Sequence, residues 1–168
     1  MGNSEIIGTT VYTTLKHGVL IWDLEDFHKF GHIQWGINHG LEPWSYRVRC
    51  GNYKSKGLSS PYLHRLIMNA KKGEIVDHIN RNTLDNRKEN LRICSNMQNT
   101  WNAGSRKGLS KYKGVTYIRR SNKWGASIGC NGKRISLGHF ELERDAALAY
   151  NAKAVELFGE FACLNVVA

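Results

Sequence analysis

The sequence predicts an α+β protein built from two parts of different character. In the first part, short strand-like stretches precede two strands that are separated by a long polar loop and followed by a capped helix. In the second part, a turn signal joins two strands of a small antiparallel sheet, and one amphipathic helix follows. The 168 residues suffice for one domain or two small ones.

The first sixty residues are expected to be rich in β-structure. Apolar and β-branched residues predict strands at 10–15, 19–24 and 44–48, the last with an alternating pattern. Three aromatic residues are expected to form a small core there: Trp35, Trp44 and Tyr46. Four histidines in this region have no ligand spacing and are interpreted as surface or structural residues: His17, His28, His32 and His39.

The densest polar stretch lies between two strands predicted at 73–78 and 91–94. Ser95, followed by Gln98 three residues later, forms a capping-box pattern, which indicates that a helix begins there. Asn99 then falls in the first turn of that helix. We therefore expect Asn99 to face the strand end that carries the polar residues before the loop.

Asp77 and His78 stand at that strand end, where both side chains can serve one site. A carboxylate and an amide oxygen are hard ligands that suit Mg²⁺ or Mn²⁺ rather than zinc. A histidine with an ordinary pKa is mostly neutral at pH 7 and can take a proton from water. The set suits phosphodiester hydrolysis, but the same residues also suit a polar loop of Asx turns, and the pattern alone leaves both interpretations open.

Charge is concentrated in the second part of the chain. The formal charge is +10, residues 101–140 hold nine basic and no acidic side chains, and residues 141–168 hold two basic and five acidic ones. This distribution favours a module with a basic face and a polyanionic partner such as nucleic acid, although a merely basic, soluble protein stays possible. A basic Gly/Ser-containing linker is predicted at 104–111.

Three strands and a helix are predicted after this linker. The strands are expected at 114–118, 123–130 and 133–138, and Asn131-Gly132 is a hairpin turn signal between the last two. Apolar residues recur at helical spacing over 143–158. The helix would cover one face of the sheet and leave the other, with its basic side chains, free to enter a DNA major groove.

The remaining features exclude several classes of protein. The four cysteines form no CxxC pair, so a structural zinc site is not expected. No apolar run approaches the roughly 18 residues needed for a membrane span, and no secretion signal is recognisable. We expect an intracellular, cytoplasmic protein without membrane contact, and the sequence leaves open whether it is a monomer or a dimer.

The C-terminal part holds five short stretches in a fixed order, at 113–115, 123–124, 133–140, 146–151 and 158–165. The resemblance that they carry is to an AP2 DNA-binding domain. It implies that strand residues contact bases and phosphates, at positions that here hold Lys113, Thr116, Ile118, Ser127 and Arg134. The turn and strand ends add further basic candidates for DNA binding: Arg119, Arg120, Lys123 and Lys133. Trp124 is expected to pack into the core between helix and sheet.

The central part holds five short sub-motifs in a fixed order, at 64–67, 76–80, 84–87, 89–92 and 98–99. The resemblance that they carry is to an HNH endonuclease of the zinc-free branch found among phage and intron-encoded homing enzymes. It implies a ββα-metal core in which His78 is the general base, Asp77 and Asn99 bind one divalent cation, Mg²⁺ or Mn²⁺ and not zinc, and Asn90 holds the loop.

Two arginines of the loop, Arg81 and Arg87, have more than one interpretation. Both are placed to bind phosphates, and Arg87 is equally suited to pair with Asp85. His64 recurs in the resemblance and is interpreted as a core residue.

The sequence as a whole therefore predicts a metal-dependent, site-specific endonuclease that acts on double-stranded DNA. Its parts would be a nuclease domain at 1–103, the linker at 104–111 and an AP2-like domain at 112–168. The alternative is a DNA-binding or regulatory protein on an inactive HNH fold. An RNA-directed protein is disfavoured because the stacking aromatics of an RRM-like sheet are missing.

Overall fold

The computed structural model describes residues 3–38, 46–51, 61–105 and 108–167. In these ranges the chain has four small antiparallel sheets and four α-helices, which confirms the α+β class. It divides into two compact units, Met1–Asn96 and Met97–Ala168. Several residues named above lie outside the described ranges, namely His39, Trp44 and the first two residues of the strand predicted at 44–48.

The first unit combines three short sheets with two helices in the described ranges. In chain order the elements are β1 (Ser4–Ile7), β2 (Thr10–Leu15), β3 (Gly18–Asp23), α1 (Leu24–Phe30), β4 (Trp35–Asn38), β5 (Arg47–Cys50), α2 (Leu63–Ile67), β6 (Ile75–His78) and β7 (Leu91–Cys94). The strands pair in the orders β1-β2-β3, β4-β5 and β6-β7, and every pairing is antiparallel.

One apolar core holds the first unit together. Alternate residues of β2 and β3 point inward, so that Val11, Leu20 and Trp22 are buried. Val48 from β5 and Leu63 from α2 are fully buried in the same cluster. Burying side chains of this size stabilises the fold by roughly 1.5–3 kcal/mol each. The core thereby joins the N-terminal sheet to the elements around the polar loop.

The N-terminal sheet also holds the loop between β6 and β7 through backbone hydrogen bonds. The Ile21 amide of β3 donates to the Leu84 carbonyl over 2.9 Å, and the Asn86 amide donates to the Ile21 carbonyl over 2.7 Å. The Lys88 amide donates to the Asp23 carboxylate over 2.8 Å. The β-rich extension is therefore part of what fixes the shape of the loop.

The second unit is a three-stranded sheet packed against one long helix, with a shorter helix before it. Its elements are α3 (Asn96–Asn102), β8 (Val115–Ile118), β9 (Lys123–Cys130), β10 (Lys133–Phe140) and α4 (Glu143–Phe158). Asn131 and Gly132 adopt φ values of 50° and 72°, as the hairpin turn signal predicts. Tyr150 and Phe158 of α4 are buried against Ile128 of β9.

Helix α3 packs onto this second unit. The Trp101 ring stacks on Phe158, with centroids 4.5 Å apart and an interplanar angle of 13°. The Lys113 ammonium donates to the carbonyl groups of Trp101 and Ala103, over 2.5 and 2.6 Å, which places a cation at the C-terminal end of α3. The functional boundaries at 103 and 112 stay predictions.

No helix in the described ranges combines the length and the apolar character that crossing a bilayer requires.

Candidate active site

Asp77 and His78 are the last two residues of β6, and both are buried. The β6–β7 register places Asp77 opposite Arg92 and His78 opposite Leu91. The Arg92 guanidinium donates through Nε and Nη2 to Oδ2 of Asp77, over 3.1 and 2.9 Å. This fork fixes the orientation of a carboxylate that is only 7% exposed.

The His78 imidazole is held in its neutral form. Burial lowers its pKa from 6.5 to about 4, and the positive charge of Arg47 acts in the same direction. The Asn86 side chain and the charges of Asp77 and Asp85 act in the opposite direction, but with smaller effect. At neutral pH the ring therefore has a nitrogen lone pair available to accept a proton.

A second buried imidazole, that of His64, lies beside His78. The two ring centroids are 5.3 Å apart with an interplanar angle of 68°, and the His64 ring also stacks on Tyr62 at 5.6 Å and 19°. Burial, the neighbouring His78 and the charge of Arg47 lower the pKa of His64 to about 3. Both imidazoles are therefore neutral at pH 7.

These two depressed pKa values predict that the first unit loses stability in mild acid. An unfolded histidine has a pKa of 6.5, so below this pH the imidazoles of His64 and His78 bind protons in the unfolded chain. In the folded protein their lowered pKa values keep both rings neutral until the pH is much lower. The free energy of unfolding should fall by about 2 kcal/mol for each histidine between pH 7 and pH 5. Urea unfolding at a series of pH values measures the slope.

Two variants test whether the buried histidines cause this dependence of the unfolding free energy on pH. His64→Phe should remove about half of it, because one of the two buried histidines is gone. His28→Gln, which changes an exposed histidine, should leave the slope as it is. An unfolding free energy that stays constant over this pH range would contradict the neutral, buried state of both rings.

Asn90 ties the two ends of the loop together from a buried position. Its side-chain Nδ2 donates to the Asp85 carbonyl over 2.7 Å, and its Oδ1 accepts from the Asn80 amide over 2.9 Å. The Ile79 amide also donates to the Asn90 carbonyl over 2.9 Å. A single side chain thus satisfies two backbone groups that follow β6 and precede β7, next to His78.

Asx turns and one ion pair complete the loop. The Asn80 side chain accepts from the Asn82 amide over 2.8 Å and donates to Asp85 over 2.9 Å. Arg87 donates two hydrogen bonds to the Asp85 carboxylate, over 2.9 and 2.8 Å. Of the two interpretations of Arg87, the structure contains the ion pair with Asp85. Burial opposes ionisation of Asp85, but the hydrogen bonds and charge of Arg87 prevail and lower its pKa. Arg81 is exposed, with φ of 65°.

The donor chemistry at this strand end fits a hard divalent cation. In the described part of the chain no group of three or more His, Cys, Asp or Glu side chains is arranged to hold a metal ion. A cation at Asp77 would therefore rely on this carboxylate, on amide oxygen and on water, the ligand set typical of Mg²⁺. Asn99 lies on α3, which packs with the second unit, and its pairing with Asp77 stays a prediction.

Sequence reasoning did not identify Arg47 as part of this neighbourhood. Arg47 stands on β5, and Cys50 and Arg49 of the same strand contact Pro61 and Tyr62 just before α2. Its charge acts on His64 and His78, and burial lowers its own pKa. In the sequence, the alternation of Arg47 and Arg49 about Val48 indicates a strand. It does not indicate that this strand lies next to His64 and His78.

The sheet of the second unit has one covered and one open face. Val115, Ala126 and Ile128 are buried on the side of α4. The alternation of strand residues places four predicted DNA-contact positions on the other face: Thr116, Ile118, Ser127 and Arg134. Trp124 packs against the core cluster beneath the sheet, as predicted.

The predicted basic contacts differ in their surroundings. Arg134 lies on the open face and donates from Nε to Ser127 Oγ over 2.9 Å. Lys123 pairs with Glu141 over 2.8 Å, and Lys113 binds carbonyl groups at the end of α3. Three further predicted contacts are exposed: Arg119, Arg120 and Lys133.

Both parts of the chain are similar to known proteins. An HNH endonuclease family model matches residues 61–100. An uncharacterised HNH endonuclease of Acanthamoeba polyphaga mimivirus is 37% identical over 168 residues, 96% of this chain and 84% of the relative. Protein 3.8 of Escherichia phage T7 is 30% identical over 92 residues, which are 54% of this chain and 75% of that protein.

The C-terminal part has relatives of another kind. The AP2-like ethylene-responsive transcription factor TOE2 of Arabidopsis thaliana is 41% identical over 64 residues, which are 38% of this chain and 13% of that protein. This likeness concerns one module of a much longer relative. The match to the mimivirus protein, in contrast, runs through nearly the whole chain, and on that evidence the chain belongs to the HNH endonuclease family.

Proposed function

We propose that this protein is a metal-dependent, site-specific DNA endonuclease of the homing type. His78 is the general base, Asp77 and Asn99 hold one divalent cation, Mg²⁺ or Mn²⁺, and Asn90 fixes the loop that follows the base. The second unit binds double-stranded DNA through the open face of its sheet and determines where the enzyme cuts.

One observation carries this proposal, the buried pair of Asp77 and His78 at the end of β6. The carboxylate is 7% exposed and the imidazole 5% exposed, and the imidazole is neutral because burial lowers its pKa to about 4. A polar loop with only a structural role does not require two adjacent, buried titratable side chains at the end of the strand that precedes it. This favours the catalytic interpretation over the loop of Asx turns alone.

The residues of the chain divide the reaction between them. The neutral imidazole of His78 takes a proton from the attacking water as the new bond to phosphorus forms. Arg92 orients the carboxylate of Asp77, and Asn90 keeps the chain after β6 in place. When bound, a divalent cation supplies positive charge that stabilises the phosphate transition state and the leaving 3′ oxygen.

Cleavage of plasmid DNA tests the site specificity. A supercoiled plasmid that carries the DNA of the native locus should be nicked or linearised at one position in the presence of Mg²⁺. A plasmid of equal length without that locus should stay supercoiled under the same conditions. Equal degradation of the two plasmids would contradict site specificity while leaving the nuclease activity itself in place.

The basic turn of the second unit supports the proposal that this unit holds the DNA. Arg119 and Arg120 are adjacent and exposed at the end of β8, and the open face next to them carries Arg134. Each cation that neutralises a phosphate releases counterions, so the affinity for DNA depends on salt. Removing such a cation should therefore reduce this dependence by a measurable step.

The double variant Arg119→Gln/Arg120→Gln should weaken DNA binding and reduce the slope of log K against log salt concentration by about 2. Fluorescence anisotropy with a labelled duplex, from low to moderate salt, measures the slope. Arg144→Gln is the matched control, because Arg144 is exposed on α4 beside Asp145. A slope that changes equally in both variants would argue against binding through the sheet.

A further inference from the structure

Three aromatic rings form a continuous column that ends at the proposed base. Tyr62 and His64 are nearly parallel, at 5.6 Å and 19°. His64 meets His78 at 5.3 Å and 68°, an edge-to-face arrangement that aromatic pairs prefer. The proposed mechanism gives His64 no part, although its ring contacts that of His78.

The column is anchored at its far end and in the middle. Tyr62 pairs with Arg49 in an isolated antiparallel bridge to β5. His64 is the second residue of α2, its carbonyl accepts from the Met68 amide over 3.2 Å, and the adjacent Leu63 is fully buried in the core. The backbone of His64 is therefore held in place independently of the contact between the His64 and His78 rings.

Packing alone gives no reason for a histidine at this position. His64 is 7% exposed, and within the described residues its buried Nδ1 has no hydrogen-bond partner. Burying such a polar atom without a partner costs about 1–3 kcal/mol, and an apolar side chain of similar volume avoids this cost. Because nearly all buried polar groups in native proteins have a hydrogen-bond partner, such an atom calls for an explanation, and a functional role is one.

We propose that His64 is a positioning residue for His78, whose ring orientation it fixes through the edge-to-face contact. The inference rests on the proposed role of His78 as general base. A base acts only when its lone pair lies within hydrogen-bond reach of the attacking water. The ring of His78, at the end of a four-residue strand, is hydrogen-bonded to the Asn86 side chain, and the edge-to-face contact with His64 adds a second constraint on its orientation.

Single-turnover cleavage by His64→Ala and His64→Phe tests this role. The alanine variant should cleave about 10- to 100-fold more slowly, as expected for a misplaced catalytic group, while its Kd for DNA changes by less than about twofold. His64→Phe keeps a ring at the same place and should recover most of the lost rate. If the alanine variant fails to fold, His64→Leu, which fills the space without a ring, replaces it, and a rate near that of wild type in His64→Leu overturns the role.

A spectroscopic readout separates positioning from general stability. The aromatic ¹³C–¹H cross-peaks of His78 should be sharp in the wild type and in His64→Phe, and broadened or averaged in His64→Ala. An unchanged cleavage rate in His64→Ala, or a phenylalanine variant as slow as the alanine variant, would overturn the proposal.

A comparison with His78→Ala distinguishes this inference from the proposed function. In the His78→Ala background, His64→Ala should add no further loss of rate. If His78→Ala cleaves normally, the proposed function fails. If His78→Ala is inactive while His64→Ala cleaves at the wild-type rate, only the inference about His64 fails.

Discussion

Replacing His78 with alanine should abolish plasmid cleavage while leaving DNA affinity nearly unchanged. The imidazole is the group at this strand end that is neutral, buried and able to accept a proton at pH 7. Removing a general base of this kind lowers the rate by about 10²- to 10⁴-fold. Single-turnover cleavage of a supercoiled plasmid carrying the native locus measures the loss.

Two further variants test whether the loss of cleavage comes from the missing imidazole or from a disturbed fold. His78→Gln has similar volume and a neutral amide, so it should fold like the wild type yet stay inactive. His28→Ala changes an exposed histidine of α1 and should cleave at the wild-type rate. A His78→Gln variant that still cuts at a rate near that of wild type would remove His78 from the role of base.

The elements of the C-terminal part were predictable because local signals and packing agree there. Asn131-Gly132 specified the hairpin, and the helical stripe specified α4 over the residues at which it is found, Glu143–Phe158. Gly159 ends this helix at φ of 52°, a conformation that favours glycine. A sheet of three strands is stable when another element covers one of its faces, and α4 was the helix predicted in this part to do so.

The N-terminal part was less predictable because its elements are short. The strand at 10–15 was correct, but β1, α1, β4 and α2 were not predicted. Each has four to seven residues, too few for a periodic pattern to stand out from the background. The strand predicted at 19–24 ends at Asp23, because Leu24 begins helix α1.

The candidate site was predictable only as far as its residues are close in sequence. Asp77, His78 and Asn90 lie on one strand and the loop that returns from it, so a local motif could identify them. Arg47 and His64 reach the same place through tertiary packing of β5 and α2, and no spacing in the sequence encodes that contact. The fork of Arg92 on Asp77 follows from the β6–β7 register, which the sequence does not give.

Removal of divalent metal is the second change that should have a very large effect. Asp77 is a hard oxygen donor, and its Arg92 partner supplies only a single positive charge near it. In the proposed mechanism, the negative charge of the phosphate transition state loses its main source of stabilisation when no divalent cation is bound. We therefore expect no detectable cleavage in excess EDTA, although folding and DNA affinity persist.

The control for this effect is the isosteric variant Asp77→Asn. It removes the charge of the carboxylate but keeps its shape, so it should need a much higher Mg²⁺ concentration than the wild type to reach half of its maximal rate. Circular dichroism in EDTA shows whether the fold is retained. Equal metal requirements of the wild type and Asp77→Asn would mean that this carboxylate is not a ligand.

The most direct test of the proposed metal-dependent site is therefore one plasmid cleavage assay, with the native locus as substrate, in which metal is withdrawn and then restored. We expect cleavage to stop in excess EDTA and to resume when Mg²⁺ or Mn²⁺ is added beyond the chelator. Cleavage at the full rate with all divalent metal chelated would contradict the account at its centre.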